Sequence, residues 1–146
     1  MIDWKSKAGI FGYGNGGMAT NLAATYPEGI GAAVSMYPRG SKQVISSKVP
    51  ILLIAGTYDL INPPREIEPV FHAAKAVPAA YAQLSYADHD DFFSMGIRYP
   101  LAMFDCHLKH QHASCAAIYS LDSKLCPLCS CKNLRMEKCF TKNFKV

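Results

Sequence analysis

No cysteine occurs before Cys106, although the chain has 146 residues and six cysteines. Cys106, Cys115, Cys126, Cys129, Cys131 and Cys139 are confined to the last stretch. The chain therefore has two compositional parts: a cysteine-free part of about 105 residues and a cysteine-rich tail. Long apolar runs are also lacking. None reaches the ~18 residues of a membrane-spanning helix, so no membrane span is expected. The opening stretch, MIDWKSKAGIF, lacks the apolar core of ~7–15 residues that a signal peptide needs. It leads almost directly into a strand, which fits an internal start or the edge of a truncated gene model. Charge is sparse. Only 18% of residues are charged while 50% are hydrophobic, a globular rather than a disordered composition.

The formal net charge of +4 is mild. Its basic residues gather late: Lys124, Lys132, Arg135, Lys138, Lys142 and Lys145 stand against one acid, Glu137. No aromatic platform is interleaved with them, so the segment reads as a solvated face and not as a nucleic-acid site.

Hydrophobic patterning gives an order of elements. KAGIFGY (7–13) reads as a buried strand and residues 16–26 as a helix, with Met18, Leu22 and Thr25 on one face. GIGAAVSMYP (29–38) is a second strand, and RGSKQVISSK (39–48) a polar loop. VPILLIAGTYD (49–59) is apolar without alternation, which suits a strand covered on both faces of a parallel sheet. REIEPVFHAAKAV (65–77) is helical, AYAQLSYAD (80–88) a fourth strand, and 91–110 helical with Pro100 as a kink or break. Trp4 is expected on the sheet rim and His72 at the surface or in packing. This order implies α/β architecture: a mostly parallel sheet of about four strands with flanking helices, and a cysteine-rich C-terminal tail. Domain limits of 1–110 and 111–146 follow.

Three positions each follow a strand. The first is the turn Gly12-Tyr13-Gly14-Asn15-Gly16-Gly17, where small residues at 12 and 16 permit a sharp strand-to-helix reversal. The second is Asp59, the third His89 in YADHDDFF. Ligands of open α/β sheets bind at the carboxyl ends of strands. GIFGYGNGGMAT, VPILLIAGTYDLINPP and YADHDDFF, in that order, resemble the nucleophile elbow, acid turn and histidine loop of an α/β-hydrolase. The chain is similar to the C-terminal half of dienelactone-hydrolase-like and cutinase- or polyesterase-like ester hydrolases, over residues ~7–110.

That resemblance implies a partial α/β-hydrolase fold and Ser-His-Asp acyl transfer. By position, Asp59 is the acid and His89 the base. The Asn15 N–H is half of an oxyanion hole. The nucleophile position falls on Gly14, which has no side chain. The family also has strands before the elbow strand, one of whose loops supplies the second oxyanion donor. With little chain before Ala8, the chain alone is expected to be catalytically impaired, and the elbow strand to have an open edge bordered by Ile10 and Phe11. The resemblance implies an ester-type small molecule or polymer as substrate and no cofactor. The open edge suggests self-association or a partner protein. The alternatives are a non-catalytic binding module or a gene relic.

The same residues admit other readings. Gly12, Gly14 and Gly17 match a dinucleotide-binding glycine spacing, but the acid ~20 residues on is absent. A metal at Asp88-His89-Asp90-Asp91 would need adjacent residues to converge on one ion, so no metal site is assigned. Cys126-x-x-Cys129-x-Cys131 and Cys139, with His107, His110 and His112 nearby, have zinc-type donors without paired zinc spacing. Six cysteines also suit disulfides or free thiols. The resemblance favours disulfides and a secreted parent family.

Overall fold

The computed structural model describes residues 6–39, 46–91, 98–119 and 136–144, with side chains in the last segment from residue 140 onward. Trp4, Cys126, Cys129 and Cys131 lie outside the described residues, as does the side chain of Cys139.

Among the described residues, five strands form one sheet in the spatial order β1-β2-β3-β4-β5. They are β1 (Ala8–Tyr13), β2 (Ile30–Met36), β3 (Ile51–Gly56), β4 (Ala79–Leu84) and β5 (Met136–Lys142). The first four are parallel and β5 runs antiparallel to β4. The helices are α1 (Asn15–Ala23), α2 (Pro64–Ala73), α3 (Arg98–Leu108) and α4 (His112–Tyr119). This is the expected α/β architecture, a partial α/β-hydrolase sheet with helices on both faces.

The apolar run of β3 is explained by its place. All six residues of β3 and all six of β4 are buried. Side chains alternate across the sheet, so each strand feeds two cores. Ala32, Val34, Met36, Leu52, Ile54 and Leu84 pack with Tyr99, Met103 and Ile118 of α3 and α4. Ala33, Ile51, Leu53, Ala55 and Tyr81 pack with Ile67, Val70 and Phe71 of α2 and with Ala24.

Three features add to or correct the expectations. First, the sheet has a fifth strand, taken from the tail. Lys138 and Lys142 lie on this strand. Lys142 is more than a solvated charge: its ammonium lies 4.4 Å from the Phe71 ring centroid and donates to the Phe71 and His72 carbonyls. Phe140 stacks beside Tyr81 and Phe71. Second, α1 does not bury Met18 and Leu22, which are 37% and 54% exposed. It buries Gly17, Thr20 and Asn21, because only small or slim residues fit where the helix nears the sheet. Third, Pro100 falls in the first turn of α3, where a missing N–H costs no hydrogen bond. The chain reverses after Leu108 instead, with His110 at a positive φ of 55° before α4. Among the described residues β1 pairs only with β2, and Phe11 on it is 49% exposed.

Cys106 and Cys115 form a disulfide, nine residues apart, that fastens α3 to α4. A loop of that size constrains the unfolded chain by roughly 2–3 kcal/mol. Beside it, His107 Nε2 lies within hydrogen-bonding distance, 2.7 Å, of the Tyr119 hydroxyl. Burial, aided by the nearby His110, lowers the His107 pKa from 6.5 to about 4. The neutral imidazole is thus favoured in the fold, while the unfolded chain takes up a proton at higher pH. The stability this confers is complete above the unfolded value and drains away as pH falls from 6.5 towards about 4. Its size is of the order of 2 kcal/mol once partial solvent exposure is allowed for. Urea midpoints at neutral and acidic pH should show this loss, and His107→Gln should reduce it.

Candidate active site

The elbow is built by close backbone approach. A Cβ on Gly12 would sit 2.2 Å from the Gly16 carbonyl oxygen, and one on Gly17 would sit 2.9 Å from the Met36 oxygen. A Cβ on Gly16 would meet nothing within 4 Å. The glycines that packing requires are therefore 12 and 17, not 12 and 16 as the motif suggests. The Ser35 hydroxyl donates to the Gly17 carbonyl at 2.9 Å and ties the start of α1 to β2.

Gly14 lies at φ 57° and ψ −118°, a conformation strained for any residue with a side chain. The surroundings hold it there. Its N–H donates to Met36 O at 3.0 Å, and its carbonyl accepts from Met18 N and Arg39 N at 3.1 and 3.2 Å. Asn15 follows as the first residue of α1, and its N–H has no acceptor among the described residues.

Asp59 closes the turn after β3 and is 1% exposed. Its Oδ1 accepts from Ile61 N at 2.9 Å and Asn62 N at 2.7 Å. Its Oδ2 lies 2.8 Å from His89 Nδ1. Both oxygens thus act as acceptors, so the His89 proton sits on Nδ1 and leaves the Nε2 lone pair free. His89 opens a short 3₁₀ turn, His89–Asp91, after β4.

Sequence reading missed three supporting residues. The Tyr13 hydroxyl donates to the His89 carbonyl, and the two rings lie 5.0 Å apart. Burial, then Asp90, Asp59 and Asp88, raise the Tyr13 pKa and keep that donor protonated. Tyr37 is fully buried at φ 46°, with its ring edge-on to His89 at 6.1 Å. Its pKa is pushed up by burial and next by Asp91. Buried Asn62 donates from Nδ2 to the Tyr37 carbonyl at 2.8 Å, joining the acid turn to the end of β2. The only sequence signals were a tyrosine inside the elbow and an asparagine just after the acid.

The three strand-end positions meet in one place. A Cβ built on Gly14 would lie 3.6 Å from His89 Nε2 and 3.9 Å from Cε1, with no other described heavy atom within 4 Å beyond Gly14 and its two chain neighbours. The elbow therefore aims whatever it carries at the free nitrogen of the imidazole. The profile of the dienelactone hydrolase family matches residues 3–96, more than half of the chain. The chain belongs to the dienelactone hydrolase family. No curated protein matches it significantly.

In this dienelactone hydrolase family member the site faces outward: the His89 side chain is 17% exposed, the Asp59 side chain not at all. A separate cavity of about 400 Å³, lined by Lys7, Lys48, His107 and His110 among others, opens at the opposite, N-terminal ends of β1–β3. His72 is exposed on α2 and pairs with Glu68 at 3.5 Å, far from this chemistry in role. Among the described residues no three His, Cys, Asp or Glu side chains converge as a metal site, and no helix is long and apolar enough to cross a membrane.

Proposed function

We propose that this chain carries the Asp59–His89 half of a Ser-His-Asp acyl-transfer site for carboxylic esters, with Gly14 at the nucleophile position. Asp59 fixes the imidazole tautomer, His89 is the base, and the Asn15 N–H is an oxyanion donor. The observation that carries this reading is the 3.6 Å separation between a Cβ at Gly14 and His89 Nε2. A serine hydroxyl placed there would reach hydrogen-bonding range of the base. With no side chain at Gly14, no acyl-enzyme forms, and turnover by the chain alone is low. The substrate is an ester-type small molecule or polymer. The unit at 1–110 holds all of these residues, and 111–146 extends it.

Hydrolysis of p-nitrophenyl acetate and butyrate tests the assignment in the chain, in Gly14→Ser, and in Gly14→Ser with His89→Ala. Turnover should rise in Gly14→Ser and fall back when His89 is removed. Equal, low rates in all three folded proteins would defeat it.

A second reading is an interaction module, favoured by β1, which among the described residues pairs on one side only and exposes Phe11. Sedimentation of the chain and of Phe11→Lys separates the two: association through β1 should weaken in the variant, whereas a monomeric chain removes this reading.

A further inference from the structure

We propose that the space in front of Gly14 is a binding site for a small hydroxylic molecule, water or a short alcohol, which the His89–Asp59 dyad deprotonates for direct attack on an ester. This rests on the ester-hydrolase reading above but assigns the site a different nucleophile and no covalent intermediate. Three observations carry it. Gly14 is buried, yet apart from its chain neighbours Tyr13 and Asn15 the described residues would offer a Cβ there only two His89 ring atoms within 4 Å. The Asp59 contact at Nδ1 leaves Nε2 as an acceptor for an O–H from that space. The elbow holds Gly14 at φ 57° through three backbone hydrogen bonds.

The distances set the size of the ligand. A serine places its oxygen one bond beyond Cβ, so one water or a short alcohol fills the same space. Its O–H proton passes to Nε2 while its oxygen forms a bond to the ester carbonyl carbon. The carbonyl π pair moves onto the oxygen, which the Asn15 N–H receives. Collapse re-forms the carbonyl and breaks the bond to the leaving alkoxide, which takes the proton back from Nε2. Water thereby yields acid and alcohol, and methanol yields the methyl ester and alcohol. No electrons leave or enter the system.

The two hydroxyl sources are separated by product analysis. The chain is given p-nitrophenyl butyrate with increasing methanol, ethanol or tert-butanol. Methanol should raise p-nitrophenol release to a plateau and yield methyl butyrate, while tert-butanol, too bulky for the space, should not. Release of butyrate alone, dependent on His89 but unaffected by methanol, would restrict the ligand to water and overturn the alcohol part. Gly14→Ala fills the space and should abolish both products. His89→Ala, which leaves the elbow untouched, should lower both by about 10²-fold or more, the usual worth of a general base. Methanol acceleration that is linear and survives His89→Ala would overturn the proposal. Turnover by Gly14→Ser with no His89-dependent release in the parent chain would overturn it while sparing the ester-hydrolase reading. Failure of both proteins would remove that reading itself.

Discussion

Gly14→Ser should raise ester turnover by about 10³–10⁴-fold over the parent chain. In an intact triad the nucleophile is worth about 10⁶ in kcat. One absent oxyanion donor costs about 10²–10³. Among the described residues β1 is the sheet edge, so the proposed oxyanion hole is counted here with the Asn15 N–H as its one donor. The gain is the difference between these, so the restored enzyme stays well short of an intact one. Asp59→Asn in the same background should return most of it. Asparagine Oδ1 can still accept from Ile61 and Asn62, so the turn survives, but it presents the wrong partner to Nδ1 and loses the tautomer. The serine also has to adopt φ 57°, which costs about 1–3 kcal/mol. Gly14→Ser should therefore be more active and less stable, measurable as initial rates and a urea midpoint on the same preparation. An unchanged rate in a folded Gly14→Ser protein would mean that His89 and the elbow do not work together.

Gly12→Ala should cost about 3–5 kcal/mol or prevent folding, whereas Gly16→Ala should be neutral or mildly stabilising. The new Cβ at position 12 would lie 2.2 Å from Gly16 O, 2.4 Å from its carbonyl carbon and 2.6 Å from Thr20 Oγ1. The first two are backbone, so α1 as a whole would have to move off β1. Overpacking of this kind usually costs 1–3 kcal/mol, and more where no side chain can yield. Total stabilities of about 5–15 kcal/mol leave little margin. At position 16 a methyl group meets open space, and alanine gains up to about 0.5–1 kcal/mol over glycine within a helix. Thermal or chemical denaturation of the two variants checks the pair. Equal effects would mean that the close approach of α1 to β1 is not what holds the elbow.

The legible parts of this protein are those where neighbouring residues decide the outcome. The unbroken apolar run of β3 indicated a strand covered on both faces, and it is the middle strand of the five described, paired in parallel on both sides with every residue buried. The glycine turn marked a sharp strand-to-helix reversal. The strand ends marked where Gly14, Asp59 and His89 would stand. The reading was weaker wherever distant segments compete. Met18 and Leu22 have helical spacing, but the approach of Gly12 and Gly17 to backbone turned the slim side of α1 inward and left them exposed. Met136–Lys142 read as a charged tail because its partner, β4, lies some fifty residues earlier in the chain. Tyr13, Tyr37 and Asn62 are ordinary residues until the fold sets them around His89.

The sequence by itself determined the order of elements, the glycine turn and the residue types at positions 14, 59 and 89. These are local properties of pattern and residue type. Only the tertiary structure decided that the Asp59 carboxylate meets Nδ1 at 2.8 Å and that the elbow points at Nε2. Residues far apart in the chain meet through the register of parallel strands and the packing of helices on them, and a linear pattern does not encode that distance.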